Sequence, residues 1–213
     1  MSKIVLVGSL IVDITAYTPR FPVSGETALG RTIRFGPGGK GNNQATAAAR
    51  CGAEAIVISR MGKDFLAAIM RDHYTRECMR TDYIGESDSA ETGGALIEVL
   101  EPSGENRIIV VKGANDELTA ADVYKAEAEF ASCDVFLTQL ETSIESVCAG
   151  MELARKYNKP VLLNPAPFQS VPSDLFPYVD CLTPNETEAE FFSGVRVSTL
   201  DDVPKAAEKL LAL

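Results

Sequence analysis

Short apolar runs alternate along this chain with longer stretches of helical period. Ile4–Val7, closed by Gly8, is a continuous apolar run with the look of a strand buried on both faces. Ala55–Ile58, Val135–Leu137, Val161–Leu163 and Val179–Leu182 read the same way. From Gly38 to Arg50 the chain turns helical, with small residues over Gln44–Ala49 and Gly52 as the terminating glycine. Asp64 is placed to cap a second helix with Phe65, Leu66, Ile69 and Met70 on one face and Arg76 and Arg80 towards its end. A third runs from Thr142 or Ser143 to about Tyr157, with Ile144, Val147, Cys148, Met151 and Ala154 on one stripe. This alternation predicts an α/β fold, a doubly wound parallel sheet flanked by helices. Ligands of such sheets lie outside the carboxyl ends of the strands.

Two segments, about 14–36 and 92–112, break the alternation. Gly93–Leu100 and Arg107–Lys112 flank the turn-rich stretch Glu101–Asn106 and read as a hairpin, with Ala95, Ile97 and Val99 facing one way. Together with Thr27–Phe35 they predict a small β lid over the strand ends; an edge extension of the main sheet is the alternative. Near the carboxyl end, Thr199 or Asp201 can cap a helix with Pro204 in its first turn and Val203, Ala206, Ala207, Leu210 and Leu211 on one stripe. A βα fold should next supply a strand under that stripe, so residues 1–213 are expected to be one incomplete domain, the amino-terminal part of a longer protein.

Composition narrows the class. With 213 residues, 46% hydrophobic and 23% charged, the chain can bury a core without disulfides or metal. Twenty Lys+Arg against 30 Asp+Glu give −10 at pH 7, which argues against nucleic acid and for a small-molecule substrate. Five cysteines, none in a C-x-x-C pair, indicate neither a disulfide framework nor a zinc site; they are expected to be small buried hydrophobes in a cytoplasmic chain. His73, the one histidine, falls at the border of a helix stripe and reads as structural. The run Ile4–Val12 imitates a signal peptide but is too short and ends on Asp13; no stretch approaches 18 apolar residues, so no membrane span is predicted.

Four segments carry candidate chemistry. Phe35-Gly-Pro-Gly-Gly-Lys-Gly-Asn-Asn-Gln44 lies between an extended segment and a helix start, where Lys40 and Asn43 can hydrogen-bond hydroxyls or anionic oxygens. It matches neither the Walker A loop nor the dinucleotide fingerprint, and close helix–sheet packing also explains its glycines. Asp13 follows a buried strand and either accepts hydroxyl hydrogen bonds from a polyol or serves a turn. Glu141, after Val135–Leu137, either faces a ligand or favours the next helix's N-terminus. Asn185 and Glu188 share a face at a helix start, where they either hold a hydrated Mg²⁺ and a phosphate or form a plain cap.

Taken together these motifs are far more specific. Gly-Ser-Leu-Ile-Val-Asp13, Phe-Pro-Val-Ser-Gly-Glu26, Gly-Gly-Lys-Gly-Asn-Asn-Gln44, Gln139-Leu-Glu141, Asn164-Pro-Ala-Pro167 and Thr183-Pro-Asn-Glu-Thr-Glu188 occur in an order and spacing that resemble the ribokinase-like (PfkB) family of carbohydrate and nucleoside kinases. The resemblance covers the whole chain. It implies transfer of the ATP γ-phosphoryl to a sugar hydroxymethyl, with a pentose such as ribose as substrate. By the same resemblance Asp13, Gly39, Lys40, Gly41 and Asn43 hold the sugar hydroxyls, with Glu141 contacting the sugar from the strand end. Asn185 approaches the nucleotide phosphates and Glu188 organises Mg²⁺ through water. A K⁺ site and a homodimer formed through the β lid are further implications. Two departures stand out. The family's Gly-Ala-Gly-Asp motif, whose Asp is the general base, has no counterpart in the sequence and is expected beyond Leu213, so residues 1–213 alone are not expected to phosphorylate sugar. Ile11 replaces the usual Asn two residues before the sugar-binding Asp, which admits deoxyribose, another sugar or a nucleoside. A non-catalytic sugar-binding or regulatory relative is the alternative function.

Overall fold

A computed structural model describes residues 1–213. The chain runs through β1 (Lys3–Val7), β2 (Ile11–Thr18), β3 (Thr32–Gly38), α1 (Lys40–Arg50), β4 (Glu54–Met61), α2 (Phe65–Arg76), β5 (Ile84–Glu86), β6 (Gly93–Leu100) and β7 (Asn106–Val111). It continues through α3 (Ala120–Tyr124), α4 (Glu127–Ser132), β8 (Val135–Gln139), α5 (Ile144–Lys156), β9 (Val161–Asn164), β10 (Cys181–Leu182), α6 (Glu186–Ser193) and α7 (Val203–Leu210). Two sheets result: a six-stranded one of order β10-β9-β8-β1-β4-β5 and a four-stranded one of order β3-β2-β6-β7. The six pair in parallel throughout, so their carboxyl ends share one edge. The four form a mixed sheet, antiparallel at β2–β3 and β6–β7 and parallel at β2–β6.

The parallel sheet is doubly wound because its central strands are apolar on both sides. Val5, Val7, Ile56 and Ile58 pack with Val123, Phe130, Val147 and Met151, placing α3–α5 on one face. The alternate residues Leu6, Ala55 and Val57 pack with Ala45, Ala67, Met70 and Tyr74, placing α1 and α2 on the other. Caps fix the helix starts. Asp64 accepts from Ala67 N at 2.8 Å, and Ser143 accepts from Ser146 N at 3.1 Å while donating to Leu118 O at 2.5 Å. Because β4 leaves β1 on one side and β8 lies on the other, the strand order reverses at β1/β8, where such folds open a crevice.

Several expectations need correction. The apolar run Ile4–Val12 splits at Gly8–Leu10, where the chain leaves one sheet for the other. The extended segment placed at Thr27–Phe35 is a strand at Thr32–Gly38, and Val179–Leu182 shrinks to Cys181–Leu182. Phe65 does not join the α2 core face: it is 65% exposed and meets Phe35 of β3 edge-on, ring centroids 5.6 Å apart. Cys51, Cys78 and Cys181 are exposed, because a helix C-cap, a left-handed turn residue and an edge strand put them there; of the five only Cys133 is buried outright. His73 is buried against Thr46 Oγ1 at 2.9 Å, tying α2 to α1, and burial lowers its pKa. No helix is long and apolar enough to cross a membrane.

Candidate active site

The crevice at β1/β8 gathers most of the singled-out residues. Glu141, two residues past β8, is 6% exposed. Its Oε2 accepts from Ser9 Oγ at 2.6 Å and from Lys40 N at 2.9 Å, and Lys40 Nζ stands 3.7 Å from its Oε1. Ser9 Oγ in turn accepts from Gly41 N at 3.3 Å, and Ser9 O accepts from Asn42 N at 3.0 Å. The first amides of α1 are thus already paired with protein acceptors. The glycine loop acts here as a joint that seats α1 on the β1 end, and its ligand-facing groups are side chains. Gly41 has to be glycine: a Cβ there would come within 2.5 Å of Gly8 C and Ser9 N. Gly39 caps α1 with φ 89°, a left-handed value that favours glycine.

Asp13 enters from β2, opposite Gly36 of β3 and Ala95 of β6. A Cβ at Gly38 would sit 2.5 Å from Asp13 Oδ1, so the run of small residues leaves space around the carboxylate. No protein donor hydrogen-bonds to that carboxylate. Burial first, and the nearby negative charge of Glu141 second, raise its pKa above the ordinary value. A half-buried, unpaired carboxylate beside a second carboxylate calls for a ligand rich in hydrogen-bond donors, and sugar hydroxyls supply them. Lys40 offsets part of the paired negative charge. Asn43, exposed on the first turn of α1, is free to reach a ligand from the side. Ile11, 2% exposed, lies on the same face of β2 as Asp13, opposite Gly38 and Gly93.

Asn185 and Glu188 sit apart, after β10. They form a reciprocal cap on α6: Asn185 Oδ1 accepts from Glu188 N at 2.8 Å, and Glu188 Oε2 accepts from Asn185 N at 2.9 Å. Asn185 Nδ2 also donates to Glu188 Oε1 at 3.0 Å. The capping geometry is therefore present at this site. Each Glu188 oxygen accepts one hydrogen bond and keeps a lone pair, and the chain has no cluster of three acidic, His or Cys groups that could hold a metal. These residues fit a hydrated Mg²⁺ reached through water, and not a protein-caged ion. With neighbouring strands about 4.8 Å apart, β10 lies roughly 14 Å from β1 along the same sheet edge.

Sequence reasoning missed Ser9, whose hydroxyl joins Glu141 to α1, although it stands inside the Gly8-to-Asp13 motif. It also missed Asn115, which is fully buried and hydrogen-bonds both backbone groups of Leu10 at 2.8 Å.

A doubly wound sheet with a separate mixed sheet beside its strand ends, and carboxylates converging at the β1/β8 crevice, is the frame of a carbohydrate kinase. The chain belongs to the pfkB family of carbohydrate kinases, which it matches over residues 1–213. Among individual proteins it is similar to the ribokinase of Haemophilus influenzae, 39% identical over 202 residues that cover 95% of this chain and 66% of that one. It is also similar to the deoxyribokinase of Salmonella typhi, 34% identical over 209 residues, 98% of this chain and 68% of that one. Among solved structures, Arabidopsis thaliana ribokinase complexed with ribose and ATP superposes with a TM-score of 0.87 at 26% identity, covering all of this chain and 69% of that one. The chain thus spans about two thirds of the length of the relatives it matches.

Proposed function

We propose that this chain is the sugar-binding part of an ATP-dependent kinase that transfers a phosphoryl group to the hydroxymethyl oxygen of a pentose, with ribose as first candidate. The observation that carries the reading is the Asp13 carboxylate, half-buried, unpaired and flanked by Glu141 at the strand-order reversal. In this reading Asp13, Asn43 and Lys40 hold the sugar hydroxyls, the Gly39–Gly41 backbone gives them room, and Glu141 contacts the sugar from the strand end. The similarity to a ribokinase bound to ribose and ATP supports both ligands.

Asn185 and Glu188 are assigned to the phosphate side, Glu188 orienting water around Mg²⁺. When bound, Mg²⁺ supplies positive charge against the transferring phosphoryl group. The sugar hydroxyl must lose its proton as it attacks phosphorus, and a positioned base is worth roughly 10²–10⁴-fold. Neither Asp13 nor Glu141 is assigned that task, since both hold hydroxyls. We assign it to an Asp of the Gly-Ala-Gly-Asp type, a motif that residues 1–213 do not contain. A K⁺ ion is assigned no residue of this chain.

Ile11 favours a second substrate, deoxyribose. An aliphatic side chain neither donates to nor accepts from a hydroxyl, and the similarity to a deoxyribokinase points the same way. The four-stranded sheet is read as a lid over the sugar and as a homodimer contact, because Ile33, Phe35, Leu96 and Ile108–Val111 expose apolar surface on it. Five free cysteines suit a reducing, cytoplasmic setting.

The test is an ATP-consumption screen of the complete gene product over pentoses, deoxypentoses, hexoses and nucleosides. Turnover with ribose or deoxyribose, well above the other classes, is expected. Sugar binding without turnover would replace this reading with that of a non-catalytic sugar-binding relative, and the absence of both would overturn it.

A further inference from the structure

The chain passes between the two sheets four times: at Gly8–Leu10, at Gly38–Gly39, at Ser87–Thr92 and at Lys112–Glu117. Two of these crossings are joined through a single side chain. Asn115 Oδ1 accepts from Leu10 N at 2.8 Å, and its Nδ2 donates to Leu10 O at 2.8 Å and to Lys112 O at 2.7 Å. Leu10 belongs to neither sheet, and its amide and carbonyl are both paired by this one amide group. A third crossing closes on the same point: a Cβ at Gly93 would lie 2.5 Å from Asn115 Nδ2 and 2.9 Å from Leu10 O. The fourth runs alongside, since a Cβ at Gly39 would lie 2.8 Å from Ile11 N and Ser9 O. The residue before Leu10 is Ser9, which holds Glu141 and α1, and three residues after it comes Asp13. Asn115 therefore grips the linker that has the core side of the sugar site at one end and the second-sheet side at the other.

We propose that Asn115 is a positioning residue, the pin about which the four-stranded sheet is oriented on the parallel core, and that it sets sugar affinity by keeping Asp13 in register with Glu141. This rests on the sugar-kinase reading only for its effect on affinity; the orientation of the sheets is a property of the fold. The Asn115 side chain hydrogen-bonds only backbone groups of Leu10 and Lys112 and no sugar-site side chain, so its removal lowers the fraction of molecules in the binding-competent arrangement. Apparent affinity falls in proportion to that fraction, while a saturated site retains its geometry.

The experiment uses the complete gene product with Cys51, Cys78 and Cys181 replaced by serine. Nitroxide labels at Ala47→Cys on α1 and Ser103→Cys in the β6–β7 turn report the distance between the sheets by pulsed electron resonance. Asn115→Ala is expected to broaden the distance distribution in the sugar-free protein. It should raise KM for the accepted pentose by about tenfold, corresponding to a competent fraction of about one tenth, with kcat within a factor of about two. Gly93→Ala, which drives a methyl into the same junction while leaving Asn115 in place, is expected to do the same and serves if Asn115→Ala does not fold. Gly94→Ala, whose Cβ would meet Leu66 at 3.6 Å and Val12 O at 4.0 Å, both ordinary contacts, is the control expected to change neither. An unchanged distribution in both Asn115→Ala and Gly93→Ala would overturn the proposal. So would a KM rise no larger than that of Val161→Ala, a core variant at the start of β9, two strands away from β1. If the parent protein binds no sugar, the kinase reading fails while the distance measurement still decides the role of Asn115.

Discussion

Replacing Ser9 by alanine tests how the candidate site is held together. The Ser9 hydroxyl is fully buried and donates to an ionised carboxylate at 2.6 Å, a bond worth about 1.5–3 kcal/mol. Its second bond, from Gly41 N at 3.3 Å, is long, and losing it adds about 0.5–1 kcal/mol. Glu141 is not left unpaired, because Lys40 N and Nζ remain, so the lower end applies. Ser9→Ala should therefore destabilise the fold by about 2 kcal/mol. For a chain of this size that lowers the melting temperature by about 4–8 °C. Thermal and urea denaturation measure it, and a double-mutant cycle with Glu141→Gln isolates the charge-assisted part, expected at about 1 kcal/mol. A loss under about 0.5 kcal/mol, strictly additive with Glu141→Gln, would refute the claim that Ser9 fastens Glu141 to α1.

Three further outcomes follow from the same geometry. Asp13 binds its proton more tightly in the folded chain than in the unfolded one, so its ionisation costs stability as pH rises from the unfolded value of 3.8 through the raised folded value, and below 3.8 that cost is absent. Asp13→Asn should melt higher than the parent at pH 7 and equally at about pH 3 while losing sugar affinity more than about tenfold; a lower melting temperature at pH 7 would contradict the burial argument. Ile11→Asn should improve use of ribose relative to deoxyribose in competition assays, and unchanged discrimination would show that Ile11 is only core packing. Residues 1–213 expressed alone should form no measurable sugar phosphate; turnover near that of the complete protein would make Asp13 or Glu141 the base.

The parallel core was legible because its strands are buried on both faces, and the runs Ile4–Val7 and Ala55–Ile58 have to be apolar throughout. The α5 helix showed its stripe and its Ser143 cap for the same reason. The break at Gly8–Leu10 was not legible, since Leu10, Ile11 and Val12 are as buried in their new surroundings as Val7 is in the old, and hydrophobicity cannot mark a change of partner sheet. The three-residue β5 and the short α3 and α4 lack enough residues to show a period. Glu141 was found by its place after β8 and Lys40 by its place at a helix start. Asp13 stood out as the first charge after the run Ile4–Val12, but it lies inside β2 and not after a strand, because the chain has already changed sheets at Gly8–Leu10. Ser9 and Asn115 act across 132 and 105 residues of chain, and no local pattern announces such a pairing.

The most direct test of the account is a crystal structure of the complete protein with ribose. The account predicts the sugar in the β1/β8 crevice, with hydroxyl oxygens about 2.5–3.0 Å from the Asp13 carboxylate and Asn43 and Glu141 within hydrogen-bond reach. Ribose bound elsewhere, or in the crevice with no hydroxyl within about 3.5 Å of Asp13, would contradict it.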